Sequence, residues 1–146
     1  MKKISVLLIV LLALLVVTGA ALADNGGTPR TTSLSGAEEV SGGDPDGSGW
    51  AMITLNHGQG MVCWEIAFEG IDTPFAAHIH SAVAGVNGPV VVPLFNPSIN
   101  SGCGEVDPDL IKAIIQNPEN YYVNVHNALY PGGALRGQLS VPGLSD

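Results

Sequence analysis

His78-Ile79-His80 is the stretch of this chain whose residue types and spacing most directly invite chemistry. Side chains alternate between faces along a strand, so both imidazoles point to one side and Ile79 to the other. Two rings placed in this way can converge on one cation. A second stretch, Tyr121-Tyr122-Val123-Asn124-Val125-His126, alternates likewise, with the valines on one face and Asn124 and His126 on the opposite one. If Ile79 and the valines mark the core, His78, His80 and His126 all lie outside it, and close strands in matching register would bring them together. Three imidazoles with a water or a fourth ligand suit zinc or copper(II). The expected metal ligands are therefore these three histidines, with copper or zinc as the cofactor. His57, in a turn, and Glu65, beside a strand, are additional candidates. Neutral imidazoles require a pH above about 6.5, so metal affinity should fall in acid.

The elements that must position these residues are short apolar stretches separated by turn formers, the pattern of a sandwich or barrel. Strands are expected near 30–40, 49–56, 61–68, 75–81, 89–94, 121–126 and 134–140. The run from Ser41 to Gly49 is too rich in Gly, Asp and Pro to be anything but loop. His57-Gly58-Gln59-Gly60 should close a hairpin, and Asn87-Gly88-Pro89 another turn. One segment departs from the β pattern: over 107–117 the apolar residues Leu110, Ile111, Ile114 and Ile115 fall at helical spacing. Asp107 supplies an N-cap oxygen, Pro108 suits the first helical position, and Pro118 stops the helix. The expected fold is all-β, a Greek-key-like sandwich of about seven or more strands with one short helix. Trp50, Trp64, Phe68 and Phe75 read as core aromatics. Arg136, in mid-strand, is expected to form a structural ion pair with Glu39 that locks register.

Other chemistries find no support. The serines lack a nucleophile elbow, and no glycine-rich loop leads from a strand into a helix. Glu38-Glu39 and Asp44/Asp46 lack the apolar surroundings that would raise one carboxyl for acid catalysis. Asp44-Pro45-Asp46-Gly47 begins like a calcium loop, but the downstream bidentate Glu is missing.

Composition narrows the partners. Residues 4–17 are apolar apart from Ser5, preceded by Lys2-Lys3 and followed by small residues up to Ala23, which reads as a secretory signal peptide cut after Ala23. From Asp24 onward the chain keeps all 13 acidic residues but 5 − 2 = 3 permanent cations, a net charge of 3 − 13 = −10. Nucleic acid needs clustered Lys and Arg and is excluded as a default partner. A metal cation or an extracellular protein are the partners to consider, and the mature form should not be membrane-embedded. The organisation expected is a leader over 1–23, a short polar entry over 24–30, one domain over 31–140 and a tail over 141–146. Cys63 and Cys103, the two cysteines, suit one disulfide in an oxidising compartment, whether periplasm, wall or medium.

Three motifs in order carry a resemblance. Leu34-Ser35-Gly36-Ala37-Glu38-Glu39-Val40 comes first, then Ala77-His78-Ile79-His80 leading to Asn87-Gly88-Pro89-Val90-Val91. Tyr122-Val123-Asn124-Val125-His126 with Pro131-Gly132-Gly133-Ala134-Leu135-Arg136-Gly137-Gln138-Leu139 completes the set. Together they resemble the chordin-type (CHRD) domain family over 31–140. The resemblance implies a small secreted β-sandwich and no defined biochemical role. The histidine pattern is also similar to the copper ligands of copper–zinc superoxide dismutase, a Greek-key sandwich. That likeness implies His78 and His80 as a strand pair and His126 as a late-strand ligand. The bridging histidine, the zinc ligands and the catalytic arginine find no counterpart. The function expected is exported, non-enzymatic binding of copper or zinc. The alternatives are an interaction or adhesive module without metal, and a dismutase-like copper oxidoreductase.

Overall fold

The computed structural model describes residues 26–95 and 98–143. The expected signal peptide, its exit at Ala23 and the last three tail residues lie outside the described residues. Among the described residues eight strands form: β1 (Thr28–Ser35), β2 (Ser48–Asn56), β3 (Met61–Glu69), β4 (Pro74–Ser81), β5 (Val90–Pro93), β6 (Ser101–Glu105), β7 (Tyr121–Asn127) and β8 (Leu135–Gln138). They pair antiparallel in one curled sheet of order β5-β4-β7-β8-β1-β2-β3-β6. Strand β8 returns beside β1, ahead of the β1–β2–β3 meander, which gives the Greek-key-like order expected. Alternation along β2 and β3 turns Ala51, Ile53, Leu55, Val62, Trp64 and Ile66 inward. There they share one core with Ile79, Val92, Val123 and Val125 from the other end of the sheet. Curling the sheet on itself is what lets one apolar face cover the other.

The helix α1 (Pro108–Gln116) follows the sequence signals closely. Asp107 caps it by accepting from the Asp109 N–H, and Ile111 and Ile114 are its buried face. Arg30, buried in β1, donates to the Ile115 carbonyl near the helix C-terminus, where a cation opposes the helix dipole. A 3-10 turn over Pro118–Asn120 then feeds β7. Among the described residues no helix is long and apolar enough to cross a membrane.

Three expectations need correction. Strand β1 stops at Ser35 rather than reaching residue 40, because the chain turns at Gly36, whose carbonyl accepts from the Glu39 and Gly43 N–H groups. Strand β6 is additional; its sequence Ser-Gly-Cys-Gly-Glu carries no apolar alternation. Trp64 is buried, but Trp50 and Phe75 are 43% and 58% exposed. Trp50 shares the outer face of β2 with Met52. Phe75 falls at the register shift between Pro74 and Ala76, and a bulge re-aims a side chain that plain alternation would send inward.

The seam that joins the two halves of the sheet is narrow. Strand β8 meets β1 at Ser35↔Arg136, and past its end Ser140 forms an isolated bridge with Thr31. Between them Gly137 lies so close to the Ser33 carbonyl and the Thr32 hydroxyl that a Cβ would collide with both. Gly137→Ala is expected to lose about 1–3 kcal/mol by overpacking. Urea unfolding checks this; a loss below about 0.5 kcal/mol would mean that the seam opens freely.

Candidate metal centre

Strand β4 lies antiparallel to β7, with His78 opposite Asn124, His80 opposite Tyr122 and Ala76 opposite His126. His78 and His126 are therefore diagonal neighbours on one face, within reach of long side chains. Ile79, Val123 and Val125 fill the core behind them with no exposure. The register condition set by the sequence is met, and one ligand atom from each of His78, His80 and His126 lies within 4.8 Å of the others.

The outer face of β7 is buried as well. Tyr122, Asn124 and His126 are all covered, although they point away from the apolar core. Loops supply the cover, and their carbonyls set the imidazole tautomers. His126 Nδ1 lies 3.1 Å from the Pro131 carbonyl and His80 Nδ1 2.9 Å from that of Gly88. A carbonyl can only accept, so both Nδ1 atoms carry the proton and both Nε2 atoms present lone pairs. His78 Nδ1 is 3.1 Å from His126 Nε2. Since that Nε2 has no proton, His78 Nδ1 donates. A cation between the two rings would take the place of this proton, with His78 then carrying its proton on Nε2, since ligand nitrogens around a tetrahedral ion stand roughly 3.3 Å apart for bonds of 2.0–2.1 Å. His80 Nε2 is buried and has no hydrogen-bond partner, an arrangement that leaves a lone pair for a metal.

Electrostatics keep the rings neutral. Burial and the neighbouring His126 and His80 push His78 down to about 4. Burial also lowers His80 and His126, against the opposing effect of their carbonyl partners. Three neutral imidazoles are the protonation state that ligation requires.

The other sequence-predicted residues are elsewhere. His57 is exposed in the β2–β3 turn, and Glu65 is exposed on β3, five places from β4 in the sheet order. Neither joins the histidine group. Cys63 and Cys103 are bonded, as direct cross-strand partners of β3 and β6. Glu39 and Arg136 sense each other's charge but hold different partners: Asn124 donates to Glu39, while Arg136 donates to the Val83 and Val86 carbonyls and Asn87. Burial raises the Glu39 carboxyl, with Arg136 and Asn124 pulling the other way. Asp44 uses its carboxylate locally, accepting from the Asp46 N–H. Sequence reasoning missed Tyr122, Gly88 and Pro131 as supports of the site. The Asn87-Gly88-Pro89 turn signal marks one of them, while the motif that contains Tyr122 and Pro131 gives no sign of what the ring or the carbonyl would touch.

The profile of one family, described as CHRD domain, matches residues 30–139. No curated protein and no solved structure gives a significant match.

Proposed function

This chain belongs to the CHRD domain family, and from that premise we propose that it is an exported protein binding copper or zinc, without catalysis, through His78, His80 and His126. The observation that carries the reading is the joint state of the three rings. They converge from two paired strands, two have Nδ1 committed to backbone carbonyls, and burial holds all three uncharged. Solvated surface histidines need none of these features. Export is supported by the basic-apolar-small pattern of residues 1–23 and by a disulfide suited to an oxidising compartment.

Metal analysis of purified protein after exposure to zinc or copper and desalting tests the site, beside a His78→Ala/His126→Ala double variant. Near one equivalent is expected in the parent and background in the variant. Equal, substoichiometric metal in both would sink the reading.

A further inference from the structure

Arg136 is 1% exposed, yet its guanidinium spends its hydrogen bonds on neutral groups. They run to the carbonyls of Val83 at 3.1 Å and Val86 at 2.9 Å and to Asn87 Oδ1 at 3.3 Å. A buried charge is costly to desolvate, so a site meant only to fill space would be better served by an apolar side chain of similar volume. What the guanidinium does accomplish is geometric. Its fork gathers the exposed loop that follows β4, and its Cζ lies 3.5 Å from the centroid of the Tyr122 ring. That ring stacks in turn on His80, with centroids 4.8 Å apart and planes within 12° of parallel.

The same loop returns to His80 by a second route. Gly88 directly follows the clamped Asn87. Its N–H donates to the Tyr122 hydroxyl at 3.2 Å, and its carbonyl accepts the His80 Nδ1 proton at 2.9 Å. Glycine is required there, because a Cβ at this position would strike the Ser81 carbonyl. Both routes from Arg136 therefore end on one imidazole, whose Nε2 is left buried and without a partner.

The geometry points to Arg136 as a positioning residue for the metal centre: by clamping the loop from Val83 to Gly88 and the Tyr122 ring, it holds His80 in the Nδ1–H tautomer and so assigns Nε2 as the ligand atom. The inference rests on the metal reading above. Partners that fix a ligating imidazole in this way are worth roughly 10–100-fold in metal affinity.

The test has two readouts. Long-range proton–nitrogen NMR of the metal-free protein reports the His80 tautomer, and competition titration reports zinc affinity. The parent should show His80 protonated at Nδ1. Arg136→Met, matched in length but without the fork, should show mixed tautomers and zinc affinity at least about tenfold weaker. Arg136→Lys keeps the charge without the fork and should fall between the two. A folded Arg136→Met protein with an unmoved tautomer and zinc affinity within about twofold overturns the clamp. If Arg136→Met does not fold, Arg136→Lys carries the same test, since it removes the fork on Val83, Val86 and Asn87 and keeps the charge. An unmoved tautomer and affinity there overturn the proposal equally. A parent protein that takes up no zinc brings down the metal reading and this inference with it, whereas parent uptake with unmoved variants overturns the clamp alone.

Discussion

Between pH 7.5 and pH 5 zinc affinity is expected to fall by less than about 10³-fold, where three ordinary imidazoles of pKa near 6.5 would lose roughly 10⁴-fold. The sign follows from competition between proton and metal for the same lone pair. A ring whose protonated form is disfavoured yields its lone pair to a proton only at lower pH, so competition starts later. His78, held down to about 4, is still unprotonated for the most part at pH 5. It thereby removes a share of roughly 30-fold from the loss. His80 and His126 are lowered as well and reduce the fall further. The cause is shared by all three: burial, and positive charge nearby that any one protonated ring would feel. For His78 and His126 that charge comes from the other rings, and for His80 from Arg136. Competition against a chelator of known pH dependence, at pH 7.5, 6.5, 5.5 and 5, measures the slope. A full 10⁴-fold loss centred near 6.5 would show that the rings titrate as solvated histidines, and the packed geometry would then lose its electrostatic consequence.

Residue type alone pointed to a threshold near 6.5, and the difference lies in what covers the site. Alternation along His78-Ile79-His80 and Val123-Asn124-Val125-His126 was enough to place three imidazoles outside the core, because strand period is a local property. It could not show that loops bury that outer face too, because the cover depends on long-range contacts such as Arg136 to Val83 and Val86. Glu39 and Arg136 do sense each other's charge, as expected, but their hydrogen-bond partners were not legible, for a related reason. Opposite charges in a cation-poor chain suggest a pair, whereas the hydrogen bonds from Asn124 to Glu39 and from Arg136 to the loop carbonyls depend on long-range packing. The helix was legible from end to end, since Asp107, Pro108 and Pro118 act on their own backbone. Phe75 was misread because a bulge interrupts the period that the reading relied on.

Strand β6 escaped detection because almost nothing in it packs, and the same fact makes the disulfide matter. Its residues run exposed and half-buried with no buried position, so hydrogen bonds to β3 and the Cys63–Cys103 link hold this edge in place. The two cysteines are 40 positions apart, and closing a loop of that length is worth about 3–4 kcal/mol on chain-entropy grounds. Cys63→Ala/Cys103→Ala is accordingly expected to lower stability by about 3–4 kcal/mol in guanidinium unfolding. Hydrogen exchange over 101–105 should accelerate before that of any central strand. Trp64 should report the change, since it pairs with Gly102 and its indole donates to the Ser98 carbonyl at 3.1 Å. The histidines should not respond: β6 is one edge of the sheet, while β4 and β7 lie next to the other. Metal stoichiometry is therefore expected to survive removal of the disulfide at temperatures where the variant remains folded. A loss below about 1 kcal/mol would show that the β3–β6 ladder holds without its covalent link. A folded variant that no longer takes up metal would show that the two ends of the curled sheet are mechanically coupled, with the seam at Gly137 the place to look for the connection.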